Sequence, residues 1–408
     1  MTTAASRLLS DRFGLEAAAT VRAPGRVNLI GEHTDYSLLP VLPMAIGLGI
    51  DVAGAPASDD RVVAVSGEHP ETVTLRTGSA IDVSAGWGTY VHGVLSVLGE
   101  AAFGRGARLA VSGDLPATGG LSSSSALTVG LLAVLDRLWA LGLEPVDIVD
   151  LAIVAERISG VESGGMDQTV IALACEGSAL RIDFEPRALR PVPIPDGISF
   201  VIAYSGTAAA KAGGARDHYN RSVVACRCAA ALLAAALQVD AGAPPLLGRV
   251  AALASPADVE GLPEAATAGD VAGVAGIDPV RLVTLTRGSF DLDAPVAVRT
   301  AARHVLSEAA RVDEAEAALV AGDVESLGRR FDESHASLRE FGSITPGLDR
   351  VTEAARRTGA HGARVTGAGF GGWAVAVCDD AARQRVASAM VSATGGPACH
   401  VEPSGGAL

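Results

Sequence analysis

The 408-residue sequence has one lysine, Lys211; the rest of its 32 lysine and arginine positions are arginine. A phosphate loop of the G-x-x-x-x-G-K-[ST] kind needs a lysine between glycine and Ser/Thr. Lys211 lacks those neighbours, so that mode of nucleotide binding is excluded. Cysteine is also scarce. Cys175, Cys226, Cys228, Cys378 and Cys399 are odd in number and have no framework spacing, which points to reduced thiols and a cytoplasmic location. Cys226 and Cys228 lie close together but in a helical pattern, which argues against zinc. Positive charge is short too. A formal net charge of -14 excludes non-specific attraction to nucleic acid or anionic membrane. No apolar run reaches the roughly 18 residues of a membrane span without glycine or charge breaking it. The first residues, MTTAASRLLSDRFG, carry no apolar signal region. The partners expected are therefore small molecules, with no nucleic acid and no membrane, and the chain is expected to be a monomer or weak oligomer.

Hydrophobic residues make up 49% and charged residues 19%, a globular composition. The length allows two domains, each with its own core. Strand patterns occur at 18–30 and in LGIDVAG, DRVVAVSG, ARLAVSGDLP, SALRIDF and ISFVIAYS. Helical periodicity marks 89–101, 124–141, a stretch capped by Asp147, a long run after 217, then 299–320, 323–341 and a segment opening at Pro346. Residues 241–300 are rich in Ala, Pro and Gly and give only short helical pieces. Strands and helices mix in both halves. The expectation is an α+β protein with domains at 1–197 and 198–408, ending in a loose tail, EPSGGAL.

The segment GDLPATGGLSSSSAL, 113–127, has the properties of an anion cradle. Small residues let the backbone approach a phosphate, and several N–H groups can converge on it. The following helix adds the positive end of its dipole, and serine hydroxyls can donate to phosphate or coordinate Mg²⁺. The alternative is a Ser-rich helix cap.

Another stretch raises a question of its own. APGRVNLIGEHTDYSLLPVLPMAI, 23–46, is mostly apolar, yet holds Arg26, Glu32, His33 and Asp35 within ten positions. PGRVNLIGEHTDY resembles the galactokinase signature. LPATGGLSSSSAL resembles the nucleotide motif of the wider family of galactokinase, homoserine, mevalonate and phosphomevalonate kinases (the GHMP kinases), and RVTGAGFGGWAVAV resembles that family's C-terminal glycine motif. SGGMDQ (163–168) and ESHASLREFGSITPGLD (333–349) are galactokinase-like as well.

The resemblance implies an N-terminal domain of ribosomal protein S5 domain 2-like fold, a C-terminal ferredoxin-like α/β sandwich, and an active site in the cleft between them. It implies ATP and Mg²⁺ as cofactors and a sugar as substrate. By position, Glu32, His33 and Asp35 bind sugar hydroxyls, and carboxylates suit that task because they accept from O–H donors. Asp167 matches the catalytic carboxylate, a general base toward the anomeric hydroxyl. Arg26 matches the arginine that keeps it ionised and stabilises transition-state charge. Gly164 and Tyr219 match sugar contacts. Gly119, Gly120, Leu121, Ser122 and Ser123 match the ATP contacts, and Ser124 the Mg²⁺ ligand. Glu156 is the candidate second Mg²⁺ group, with a surface salt bridge as its alternative. The implied reaction makes α-D-galactose 1-phosphate. Phosphorylation of N-acetylgalactosamine and a non-catalytic sugar sensor are the alternatives.

Three positions depart from the family pattern. Ser37-Leu38-Leu39-Pro40 replaces a glycine-containing loop, which is expected to reshape the sugar pocket's wall. Thr118 stands where the first glycine of a G-x-G is usual. Trp373 replaces a small residue, and its bulk either narrows the cleft or repacks a strand.

Overall fold

The computed structural model describes residues 3–78, 86–116, 119–158, 164–207, 214–283 and 290–408. Thr118, Lys211 and the Glu162–Ser163 part of the SGGMDQ region fall outside the described residues. Eleven strands are present among those described: β1 (Ala19–Ile30), β2 (Leu42–Ala57), β3 (Arg61–Ser66), β4 (Val73–Arg76), β5 (Gly106–Gly113), β6 (Ser178–Phe184), β7 (Arg187–Pro193), β8 (Ile198–Tyr204), β9 (Ala360–Thr366), β10 (Trp373–Asp379) and β11 (Ala398–Val401).

The first sheet has the order β1-β2-β5-β3-β4, antiparallel except where β3 runs parallel to β5. The two-residue period of its strands sorts its faces. Val52 and Gly54 of β2 meet helix Ser123–Trp139, whose Gly130 lies against Val52 and whose Val134 lies against Gly54. Ala55, Val65 and Ala110 instead cluster with Leu9 of helix Ala4–Phe13. Helix Ser123–Trp139 is buried almost along its whole length because it lies between the sheet and its neighbouring helices. Helix Pro145–Ile158 does not begin at Asp147, as the sequence reading had it. Asp147 lies in its first turn and accepts from the Glu144 amide at 3.1 Å.

The second sheet has the order β11-β8-β10-β9, all antiparallel. Numbered within the sheet this is 4-1-3-2, the ferredoxin-like arrangement. The run WAVAVC explains how both of its faces are covered. Trp373, Val375 and Val377 join the protein's main core, together with Phe200 and Ile202. Ala374, Ala376 and Cys378 face helices Pro346–Arg357 and Arg383–Thr394, together with Val201 and Ala203. Small residues on the helix face let the helices pack closely, and larger ones fill the space toward the first sheet.

The two halves of the chain do not keep their buried apolar side chains apart. The main hydrophobic cluster runs from β1 and β2 through Phe331 to Trp373 and Val401, across position 197/198. A further cluster joins helix Gly214–Leu237, the short helices of 256–283 and helix Val298–Ala321. By length and composition Asp217–Leu237 could cross a bilayer, but 67% of its most apolar window is buried inside the protein. It is therefore built as a core helix.

The terminal segment is not loose either. Pro403 bridges to Ile46, and the amides of Ser404, Gly406, Ala407 and Leu408 donate to the carbonyls of Ala45, Ala174, Ile171 and Ala172 at 2.8–3.2 Å. A Cβ on Gly406 would lie 2.4 Å from the Ala172 carbonyl oxygen, so glycine permits this approach. Composition alone read as a tail because backbone pairing leaves no mark in side chains.

Candidate active site

The apolar β1 runs straight into polar side chains because its end lies where both sheets meet. Asn28 donates its amide to the Thr366 hydroxyl of β9 at 2.9 Å. Beyond Gly31 the chain turns through Glu32, His33 and Asp35 into a short 3-10 turn, Asp35–Ser37. Glu32, His33 and Asp35 are buried yet line one cavity of about 530 Å³. They share it with Arg26, Asp167, Tyr219 and Glu156, with the loop residues Gly119, Gly120 and Ser122–Ser125, and with the segment Thr366–Gly371.

The centre of the cavity is an ion pair. Arg26 Nε donates to Asp167 Oδ1 at 2.7 Å and Nη2 to Oδ2 at 2.9 Å, a two-pronged contact with fixed orientation. Arg26 also donates to the Gly120 carbonyl at 2.5 Å, and the Ser122 hydroxyl donates to Asp167 Oδ2. The arginine is 6% exposed and the carboxylate 23%, so Asp167 is the member open to the cavity. Asp167 stands in the first turn of helix Met166–Leu173, which opens through Gly165 at φ +106°. Gly164 lies against Asp35 and Tyr36, where a Cβ would come 2.4 Å from Asp35 Cγ. Only glycine allows the turn carrying Asp167 to press on the turn carrying Asp35.

Asp35 accepts from the amides of Tyr36 and Met166, yet its carboxyl is raised to about 6. Burial is the main cause, and the negative charge of Asp167 adds to it. Glu32 is raised by burial as well, opposed by Arg364 and Arg26, and its Oε1 accepts from the Gly367 amide at 2.7 Å. His33 has a left-handed backbone, φ +65°. Its Nε2 faces the Ala368 carbonyl at 3.0 Å, and that oxygen can only accept. Nε2 therefore carries the proton, and Nδ1 accepts from the Tyr36 hydroxyl at 2.9 Å. Burial lowers His33 to about 3, which keeps the ring neutral. A sugar hydroxyl reaches a His33 nitrogen only by displacing Tyr36 or Ala368. Phe341 and Tyr219 pack beside the ring, with centroids 4.8 Å and 5.8 Å from it.

The other end is made of backbone. Gly120 has φ +119°, and Ser122, at φ +61°, opens helix Ser123–Trp139. Leu121 is buried beneath the loop and accepts from the Arg26 amide at 3.2 Å. Gly119 and Gly120 pack on the β9–β10 loop, where the Cβ position of Gly372 would be 2.6 Å from the Gly119 carbonyl oxygen. That loop reads G-x-G-x-x-G from Gly367 to Gly372 but joins two antiparallel strands, so it lacks the strand-to-helix setting of a dinucleotide fingerprint. Trp373 is 2% exposed, lies against Tyr204 and supports Gly120 from below. It repacks the strand and does not narrow the cavity.

Glu156 is buried, not a surface residue, and its Oε2 accepts from Gln168 Nε2 at 2.7 Å. Tyr90 joins it to the loop: its hydroxyl bonds Ser124, and burial with the Glu156 charge raises its pKa. Ser124 and Glu156 thus offer a hydroxyl and a carboxylate to one end of the cavity, the hard oxygen donors that Mg²⁺ takes alongside substrate phosphates. Of the residues singled out from the sequence as site residues, all but Leu121 and Gly164 line this cavity, and these two support its walls. The Ser37–Pro40 loop does not line it. Leu39 is buried in the helical cluster, and the carbonyls of Ser37 and Leu38 abut Gly248. Tyr90, Thr89 and the segment Thr366–Gly371 went unassigned in the sequence, although the glycine pattern of the latter was visible.

Comparison with known proteins bears on the family and the fold. Residues 8–56 match the galactokinase galactose-binding signature, 89–175 the GHMP kinases N terminal domain and 315–396 the GHMP kinases C terminal domain. A galactokinase of Chloroflexus aggregans is 34% identical over 391 residues, covering 93% of this chain and 89% of that protein. The crystal structure of Lactococcus lactis galactokinase complexed with galactose has a TM-score of 0.78 at 26% identity, covering 99% of this chain and 98% of that one. The Methanococcus jannaschii mevalonate kinase shares the fold, with a TM-score of 0.59 at 15% identity over 95% of this chain and 98% of that one.

Proposed function

The chain belongs to the galactokinase family of GHMP kinases, and from that membership we propose that it transfers the γ-phosphoryl group of ATP to the anomeric hydroxyl of α-D-galactose. The observation that carries this reading is the Arg26–Asp167 pair, seated in one cavity between the buried Glu32, His33 and Asp35 and the Gly119–Ser124 loop.

The loop amides and the start of helix Ser123–Trp139 receive the nucleotide phosphates. Asp35 and Glu32 accept from sugar hydroxyls, and neutral His33 and Tyr219 wall the sugar. Asp167 takes the proton of the anomeric hydroxyl as that oxygen bonds to the γ-phosphorus. The bond from the γ-phosphorus to the bridging oxygen breaks, and ADP leaves with its electron pair. Arg26 holds the carboxylate in place and offers positive charge beside the reacting oxygens. Ser124 and Glu156 are the residues that would hold Mg²⁺, whose charge would offset that of the phosphates.

The test is ADP release across galactose, N-acetylgalactosamine, glucose, arabinose and mevalonate. Highest kcat/KM with galactose is the expected result. Turnover of N-acetylgalactosamine but not galactose overturns the choice of sugar. Galactose binding without ADP release makes the chain a sensor and overturns the activity.

A further inference from the structure

Behind Glu32 lies a buried group of charges that the phosphoryl-transfer chemistry leaves unused. Arg364, on β9, is 0% exposed and does not line the cavity. Its Nη1 donates to the carbonyls of Asn28 (3.2 Å) and Leu29 (2.8 Å), at the end of β1. Its Nη2 lies 3.6 Å from Glu32 Oε1 and 3.6 Å from Glu308 Oε1. Glu308, on helix Val298–Ala321, is fully buried and ties down the same segment. Its Oε1 accepts from the Gly31 amide at 3.1 Å and from the Ser334 hydroxyl at 2.6 Å, and its Oε2 from Arg311 Nε at 2.7 Å. His304, on the same helix, approaches the Glu32 backbone carbonyl through Nε2 at 3.1 Å. Three side chains from two elements, β9 and helix Val298–Ala321, thus converge on residues 28–32 from outside the cavity.

A buried ion pair is a poor device for stability alone, because the desolvation of both charges offsets their attraction. It is a good device for fixing where a carboxylate sits and for keeping it charged. We propose that Arg364 is a positioning residue of the sugar site: balanced between Glu308 and Glu32, it fixes the Glu32 carboxylate and the chain carrying it for sugar hydroxyls while touching neither substrate. The inference rests on the sugar-kinase reading above. A wild-type protein that binds no sugar of the panel defeats that reading first, before any variant is made.

The experiment measures galactose and MgATP affinity by calorimetry, with thermal unfolding, for Arg364→Met, Arg364→Lys, Glu32→Gln and the Glu32→Gln/Arg364→Met double variant. Folded Arg364→Met is expected to weaken galactose binding by about 10–100-fold, the range of a lost contact to a charged group, and to leave MgATP within about twofold. Arg364→Lys, which keeps the charge, is expected to recover part of the loss. The double variant is expected to bind galactose little worse than Glu32→Gln alone, because the arginine acts through that carboxylate. Equal losses for sugar and nucleotide, an unchanged galactose affinity, or additive effects overturn the proposal. Should Arg364→Met not fold, the Lys variant decides: unchanged galactose affinity, or failure to fold as well, assigns Arg364 to structure and not to the site.

Discussion

The two ends of the cavity are built from different materials. The phosphate end is backbone: glycines at positive φ, an opening helix and serines. The sugar end is made of ionisable side chains, buried to 9% exposure or less and held by partners from both halves of the chain. A phosphate carries its own charge, and a row of amides suits any polyanion. A neutral sugar is known only by where its hydroxyls point, so its site must fix individual acceptors. The first task is solved locally within about ten residues. The second requires Glu32, Gly367, Arg364, Glu308 and His304 to meet in space.

The pair joining the ends gives the largest expected effect. Asp167→Asn keeps the shape and removes the proton acceptor. Turnover is expected to fall by about 10²–10⁴-fold, the usual contribution of general base catalysis, while both ligands still bind. Stopped assays on the folded variant check this, and near wild-type ADP release would sink the role.

The phosphate end is broken alone by Gly120→Val. The new Cβ would sit about 3.2 Å from both the Trp373 ring and its amide, at a φ that branched residues avoid. MgATP affinity is expected to drop by at least about tenfold, with galactose affinity nearly kept; a single disturbed hydrogen-bonding surface accounts for that much. Calorimetry with each ligand separately tests it.

The sugar end is separated by pH. Asp35 stands near 6 because burial and the charge of Asp167 disfavour its ionised form. Above that value it is a carboxylate accepting from sugar hydroxyls; below it, it is neutral. His33 and His304, lowered by burial to about 3 and about 4, do not change charge between pH 5 and 8. Galactose affinity is therefore expected to weaken by about tenfold from pH 7 to pH 5, since about a tenth of a group with pKa near 6 is ionised at pH 5. Asp35→Asn is expected to bind galactose weakly at both values, with little slope. An equally steep slope in that variant would assign the titration to another group.

This contrast also explains what could be read from the chain. The Gly119–Ser124 loop was legible because local spacing creates its geometry, whereas Asp167 was legible only through the resemblance of SGGMDQ to the family. Glu32, His33 and Asp35 were legible as charges out of place in an apolar run. Glu308 left the same trace unread. On helix Val298–Ala321 the buried positions include Val298, Ala301, Val305, Glu308, Val312, Ala315 and Leu319, so a carboxylate takes a place in the apolar stripe. Arg364 did likewise on β9, whose Ala363, Val365 and Thr366 are buried around it. The terminal segment was misread because its attachment is backbone to backbone.

The smallest effect concerns the Ser37–Pro40 loop. Its leucines were expected to reshape the sugar wall, but the structure gives them other work. Leu38 has φ +63°, a conformation that glycine adopts more easily, so this turn forms without the residue best suited to it. Leu39 is buried among Val224, Leu247 and Val250 and so ties the sugar-binding turn to the helical cluster. Leu39→Ala is expected to cost about 2–5 kcal/mol, as deletions of a buried leucine do. Leu38→Gly exchanges relief of left-handed strain for a freer unfolded chain, and these terms nearly cancel, leaving a change within about 1 kcal/mol. Neither side chain lines the cavity, so the relative kcat/KM for galactose and N-acetylgalactosamine is expected to stay within about twofold in both variants; even one methylene removed from a pocket wall shifts such ratios by about 10–200-fold. Chemical denaturation and kinetics with the two sugars check both parts. A selectivity change larger than that in Leu38→Gly, at unchanged stability, would return this loop to the sugar site.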